Sequence, residues 1–273
     1  MSGNENHGVL LIGHGTRNQG GMAQFHNLCR CVASRLHPVP VEQAFLELQQ
    51  PDIGQAINRL IERGARRLTV MPLLLFAAGH AKRDIPAAIQ AAAERSSVPG
   101  LRVLQAAHLG LHPALVELSR LRGEQTLEDK PLLPADQCCL LLVGRGSGDQ
   151  SATEEMREFA QLRQIAVGGI QTEVAFVAMA QPLLKETLPR LATSECRRII
   201  VQPHLLFQGE IADSIQEEVA KLALEHPKQE WIVTSLLADP PGQSGRGNEA
   251  LVNVILDRLN VAAIRVVESG RDD

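Results

Sequence analysis

The stretch LLIGHGTRNQ at residues 10–19 returns as LLVGRGSGDQ at residues 141–150, an offset of 131. Five of the ten positions are identical, and Ile/Val, Thr/Ser and Asn/Asp exchanges account for three more. At the same offset, residues 42–76 lie over residues 173–207 without a gap, and fourteen of those 35 positions match. A match of that density, ungapped, makes the chain a tandem duplication. The fold question thereby reduces to one unit used twice.

Each copy alternates strand and helix. Residues 9–12 form a short apolar run ending in Gly13, the pattern of a buried parallel strand that enters a loop. A helix is expected over 20–36, stopped by Pro38 and Pro40, and a second strand over 41–48. Residues 52–63 place Ile53, Ala56, Ile57, Leu60 and Ile61 on one helical face, with Gly64 at the end. Strands over 68–76 and 101–107 and helices over 84–95 and 113–121 complete the copy, and the order repeats from Cys139 to Leu259. Strands alternating with helices imply parallel sheets with helices on both faces. The expected fold is α/β, two tandem domains, each a parallel β-sheet flanked by helices, with a cleft between them. Residues 123–137, with two prolines and mixed charge, read as the linker, which sets the domains at 1–124 and 125–273. The polar tail after Val267 is expected to fray.

Composition narrows the function classes. At 273 residues the length suits about two domains of roughly 150 residues each. Lys and Arg total 27 against 31 Asp and Glu, a net charge of -4, which argues against a general nucleic-acid binder. Aromatics are 3%, with one Trp and no Tyr, too few for a base-stacking platform. No apolar run approaches the ~18 residues of a membrane span, and residues 1–7 do not read as a signal peptide. A soluble, cytoplasmic protein is expected. Cys29, Cys31, Cys138, Cys139 and Cys196 form no CxxC pair, their odd number does not suggest a disulfide framework, and an iron–sulfur site would need a tighter set. Inert thiols are the expectation.

In open parallel sheets ligands collect beyond the carboxyl ends of the strands. His14 follows the first strand, Glu47 sits near the end of the second in FLELQQP, and His80 lies past the third in PLLLFAAGH. Two imidazoles and a carboxylate on one edge suit divalent-metal binding or proton transfer. Each taken alone also fits a loop or capping residue, and GHGT could instead cradle a phosphate, although it lacks the Lys of a P-loop. The second copy sharpens the comparison: His14 becomes Arg145, Glu47 becomes Ala178, and Glu210 stands opposite His80. Scaffold residues persist while all three candidates change, so the first copy is read as the bearer of the chemistry. Arg145 stays protonated and cannot ligate a metal. It either pairs with Glu210 or grips an anionic substrate. His204, which replaces Leu73, is expected to point into the cleft; His108 and His112 are read as structural, and His7, His26, His37 and His226 as surface residues.

Together, GHGT, FLELQQP and PLLLFAAGHAKRDIP resemble the CbiX/SirB family of sirohydrochlorin chelatases, in its long two-repeat form. The resemblance covers nearly the whole first copy and survives in the second with a degenerate site. It implies insertion of Fe2+ or Co2+ into sirohydrochlorin, with release of two protons, in siroheme or cobalamin synthesis. By motif, His14 and His80 match the paired histidines that hold the metal and act on the pyrrole protons, and Glu47 matches the assisting acid. The resemblance implies no organic cofactor, the metal being a substrate. Sirohydrochlorin is rich in carboxylates, so Arg17, Lys82, Arg83 and Arg145 are the expected substrate-binding residues. Partners other than the tetrapyrrole, such as nucleic acid or membrane, are not expected. One chain supplies both lobes, so a monomer suffices, with a dimer left open. The competing readings are a non-catalytic tetrapyrrole or metal binder and a phosphate-ester hydrolase.

Overall fold

The computed structural model describes residues 6–96, 98–166, 169–240 and 245–269. In the first copy β1 (His7–Gly13), β2 (Val41–Phe45), β3 (Arg67–Pro72) and β4 (Arg102–Gln105) form a parallel sheet in the order β2-β1-β3-β4. Helices α1 (Gln19–Leu36), α2 (Ile53–Glu62), α3 (Ile85–Arg95) and α4 (Pro113–Leu127) follow the four strands in turn. In the second copy β5 (Cys138–Gly144), β6 (Gln171–Phe176), β7 (Arg198–Pro203) and β8 (Glu230–Val233) repeat the sheet as β6-β5-β7-β8. They alternate with α5 (Gln150–Ala166), α6 (Leu184–Ala192), α7 (Glu210–Glu225) and α8 (Arg246–Ser269). The offset of 131 is also the strand register: Leu10 lies opposite Val70, and Leu141 opposite Val201.

Burial explains the apolar runs. Leu10, Leu11 and Ile12 are all fully buried, which requires cover on both faces of the sheet. On one face Leu10, Ile12, Ala44 and Val70 pack with Ile57, Leu60 and Ile85. The second copy repeats this with Leu141, Val143, Ala175 and Val201 against Leu188 and Ile215. Asp52 starts α2 with a capping box, accepting from Gln55 N at 2.8 Å while Gln55 Oε1 accepts from Asp52 N at 3.2 Å.

Several expected boundaries shift. The second strand stops at Phe45 rather than 48: Leu46 N makes the last rung to Gly13 O at 3.0 Å, and Gln49 N then closes a tight turn on Glu47 O at 2.8 Å. The third strand stops at Pro72 rather than 76, and a π-helical turn, His80–Asp84, precedes α3. The expected linker at 123–137 begins inside a helix, since α4 runs to Leu127 with Gly123 buried. At the C-terminus α8 runs to Ser269, and residues 270–273 of the expected tail lie outside the described residues.

Packing divides the chain differently from the boundary at 124/125. One unit comprises Met1–Gly110 with Pro241–Asp273, and the other Leu111–Pro240. Helix α4 therefore packs in the second unit, against α5, and α8 packs in the first, against α1 and β3. Each unit thus ends on a helix taken from the other repeat. The two helices correspond at an offset of 136, which pairs buried Leu115, Val116 and Leu118 with buried Leu251, Val252 and Val254. The anchoring contact is the same in both units. Arg122 Nη2 on α4 donates to Leu237 O at 2.8 Å, and Arg258 Nη2 on α8 donates to Leu109 O at 2.8 Å. Leu109 and Leu237 are themselves counterparts, bonded through N–H to Leu74 O and Leu205 O at 3.0 and 3.1 Å.

The seats of the two helices differ. In the second unit Gln202 Nε2 donates to Ser119 O at 2.7 Å and Arg163 Nε to Ser119 Oγ at 3.1 Å. Gly123 leaves room for that guanidinium, since a Cβ there would lie 2.9 Å from Arg163 Nη2. In the first unit the corresponding residues are Ile255, Leu259, Val32 and Met71, and all four are buried. A polar seat in one unit is an apolar seat in the other.

Candidate active site

The loops that follow β1 and β2 are locked together by their backbones. Glu47 N donates to His14 O at 3.1 Å, and Gln49 Nε2 donates to Thr16 O at 2.9 Å. Gly15 makes the approach possible: it sits at φ 99, and a Cβ on it would fall 1.9 Å from Glu47 O. Asn18 then starts α1, its side chain accepting from Gly21 N at 2.9 Å. The second copy builds the same lock. Ala178 N donates to Arg145 O at 3.0 Å, and Gly146 at φ 88 would place a Cβ 1.7 Å from Ala178 O.

On this scaffold the first copy brings His14 and Glu47 together, with Nδ1 of the imidazole 3.1 Å from Oε1 of the carboxylate. Their side chains are 26% and 50% exposed, so the pair stands open to solvent at the carboxyl edge of the sheet. A shallow hollow of about 440 Å³ runs along residues 45–50 and Asp52, with Glu47 in its wall. His80 opens the π-turn beyond β3, the strand next to β1, so its backbone lies on the same edge. Its side chain lies outside the described residues. Among the described residues no group of three His, Cys, Asp or Glu side chains stands ready to enclose a metal. The His14–Glu47 pair is the part of the expected trio whose contact the described residues hold.

Of the expected cationic residues, Arg17 is exposed in the loop after β1, and Lys82 and Arg83 are exposed on the π-turn. Arg83 folds back over Gly79, where a Cβ would meet its Nη2 at 2.8 Å. In the second copy Arg145 and Glu210 are both exposed.

Other histidines separate into structural positions. His112 caps α4, its Nδ1 accepting from Ala114 N at 3.2 Å, as its structural reading expects. His108 is half-buried in the loop after β4. His7 and His26 are not plain surface residues: each is half-buried and bonded at 2.9 Å, to Thr69 Oγ1 and Gln43 Oε1 respectively. His204 does not face a cleft. It is fully enclosed in its own unit, its ring 4.2 Å from that of Phe159, and burial pushes its imidazole down to about 3. All five cysteines are free, and burial pushes the Cys139 thiol up to about 12 and raises Cys29 and Cys138 as well.

One residue that sequence reading passes over stands beside Glu47. Leu48 has φ 65 and is 52% exposed; its counterpart Met179 has φ 63 and is 70% exposed. The signal lay in the repeat itself, where an apolar residue holds this position in both copies while Glu47 is replaced.

A sirohydrochlorin ferrochelatase of Priestia megaterium is 34% identical over 230 residues, covering 84% of this chain and 83% of the relative. A sirohydrochlorin cobaltochelatase of the same organism is 27% identical over 235 residues, covering 85% of this chain and 74% of the relative. SirB from Bacillus subtilis, solved with Fe3+, aligns with a TM-score of 0.81 at 26% identity, covering 94% of this chain and 96% of that one. Among the described residues no helix is long and apolar enough to cross a membrane. The CbiX profile matches residues 8–126 and 139–246, one match per repeat, and the chain belongs to the CbiX family.

Proposed function

We propose that the protein inserts a divalent metal, Fe2+ or Co2+, into sirohydrochlorin, with His14, His80 and Glu47 of the first repeat as its reacting groups. The observation that carries the site is the 3.1 Å contact between His14 Nδ1 and Glu47 Oε1 on the open carboxyl edge. The Glu47 carboxylate stands beside the His14 ring as a charge partner for a protonated imidazole, and a neutral imidazole offers a nitrogen lone pair. Such a nitrogen serves either as a transient metal ligand or as the acceptor of a pyrrole proton. His80, on the same edge, supplies the second imidazole.

Insertion exchanges two N–H protons for M2+ with no change of oxidation state, so the reaction balances without an electron donor or acceptor. The metal is substrate. Arg17, Lys82 and Arg83, exposed on the loops after β1 and β3, are assigned to the carboxylates at the rim of the tetrapyrrole. Arg145 of the second repeat has the same chemistry and is assigned to anion binding, since its replacement for His14 removes any role as ligand. The product would feed siroheme or cobalamin synthesis, in the cytoplasm.

The test is an anaerobic side-by-side assay of the purified chain with sirohydrochlorin and Fe2+, Co2+ or Ni2+, followed by absorption. Insertion faster than the protein-free control with Fe2+ or Co2+ is the expected result. Binding of the tetrapyrrole with no acceleration for any metal would refute catalysis and leave a carrier. The order of intrinsic affinities places Co2+ above Fe2+ at a nitrogen–oxygen site, so the rates measure selection beyond affinity.

A further inference from the structure

Leu48 occupies a backbone conformation that its side chain does not favour. At φ 65 an L-residue crowds its Cβ against the peptide, and Gly, Asn or Asp takes the position more readily. The conformation is enforced by the loop lock: Glu47 N to His14 O, Gln49 N to Glu47 O and Phe45 N to Pro51 O, all within 3.1 Å. Packing does not account for the choice of Leu, because the side chain is 52% exposed. The second repeat reproduces the case. Ala178 N to Arg145 O, Ala180 N to Ala178 O and Phe176 N to Pro182 O hold Met179 at φ 63, with its side chain 70% exposed.

Comparison of the two loops isolates what is retained. Phe45, Gln50 and Pro51 recur as Phe176, Gln181 and Pro182, and they build the turn. Glu47 and Gln49 become Ala178 and Ala180, so the polar functions are gone. The solvent-facing tip nevertheless stays large, unbranched at Cβ and apolar. A strained backbone bearing an exposed apolar side chain beside a reacting carboxylate is a feature that function, rather than folding, explains.

We propose that Leu48 is a substrate-positioning residue, an apolar contact for the flat face of the tetrapyrrole next to Glu47. This rests on the chelatase reading above. A macrocycle with carboxylates at its rim and conjugated carbon on its faces needs both kinds of contact: cations such as Lys82 and Arg83 for the rim, and an apolar side chain for the face. Leu48 also lines the hollow that contains Glu47, so a ring resting on it lies within reach of the reacting pair.

The experiment compares Leu48→Asn and Leu48→Met with the wild-type chain. Asn accepts φ 65, so Leu48→Asn should fold with an unchanged or higher Tm. Its KM for sirohydrochlorin, and its Kd for the metal-free tetrapyrrole by absorption titration, should rise about tenfold, with kcat and the KM for metal near wild type. Leu48→Met, which borrows the residue of the second repeat, should keep wild-type values. An unchanged tetrapyrrole KM and Kd in Leu48→Asn would overturn the proposal, as would a loss confined to kcat or to metal binding. These outcomes presuppose insertion by the wild-type chain. A wild type that inserts no metal overturns the chelatase reading and this one with it, whereas a working wild type with an indifferent Leu48→Asn overturns this one alone.

Discussion

The two units share a backbone and differ in where they carry polar groups. In the first, polarity sits at the open carboxyl edge, in His14 and Glu47, while the helix seat beneath the sheet is apolar, with Val32, Met71, Ile255 and Leu259. In the second, the edge has lost that pair to Arg145 and Ala178, and the seat has become polar, with Arg163, Gln202, Ser119 and His204 buried. Duplication gave two equivalent scaffolds, and divergence moved in opposite directions on the two sides of the sheet. The edge positions carry the candidate site. The seat positions answer to a helix.

The comparison breaks most sharply at the edge. His14→Ala and His80→Ala should each lower metal insertion by about 10²- to 10⁴-fold with Tm preserved, the range a positioned proton acceptor contributes. Arg145→Ala should instead raise the KM for sirohydrochlorin a few-fold and leave kcat nearly intact. Steady-state kinetics on the three variants measure the asymmetry. Near-wild-type rates in either histidine variant, or loss of turnover in Arg145→Ala with binding intact, would assign the chemistry to the wrong repeat.

Acid should separate the units next. His204 is held down to about 3 in the folded protein, whereas in the unfolded chain it titrates near its ordinary ~6.5. Between those values the unfolded chain binds more protons, so stability falls as pH drops through that window. By pH 4.5 the loss from this one group is about 3 kcal/mol. His204→Leu, which restores the residue type of Leu73, should flatten that slope in urea titrations between pH 7 and pH 4.5. A slope as steep as that of the wild type would remove His204 as the cause.

A smaller effect tests the helix seats. Gly123→Leu, copying Leu259, drives a side chain into the Arg163 guanidinium and should cost about 1–3 kcal/mol by denaturant unfolding. Adding Ser119→Ile, Arg163→Val and Gln202→Met converts the seat to the pattern of the first unit and should recover part of the loss. If Gly123→Leu were tolerated at no cost, the polar seat would not discriminate between the helices.

Much of this was readable in the sequence, because a repeat reports on itself. The alternation of strands and helices, and the placing of His14 and Glu47 on one edge, follow from apolar runs that end near Gly13 and Phe45 and from loops whose spacing matches at 131. Glu47 lies two residues past the strand rather than inside it, since nothing in FLELQQP reveals the tight turn that Gln49 N closes on Glu47 O. The exchange of α4 and α8 was illegible for a different reason. An amphipathic helix after a fourth strand shows the same periodicity whichever sheet it covers. The cue existed only as a correlation between distant positions: Ser119 and Gly123 with Arg163 and Gln202, against Ile255 and Leu259 with Val32 and Met71. His204 looked like a cleft residue because a histidine replacing leucine suggests exposure. The alternation through Gln202 instead directs it under the sheet, where its ring packs at a tilt against Phe159.

The helix exchange also sets a schedule for synthesis. Residues 1–110 leave the ribosome before residues 111–240, yet the helix that completes their unit, α8, follows both. The second unit, residues 111–240, is contiguous and can close as soon as β8 emerges. The half that carries His14 and Glu47 therefore waits, with one side of its sheet bare, until the half that has lost them is already built. The half with the candidate site is finished after its counterpart.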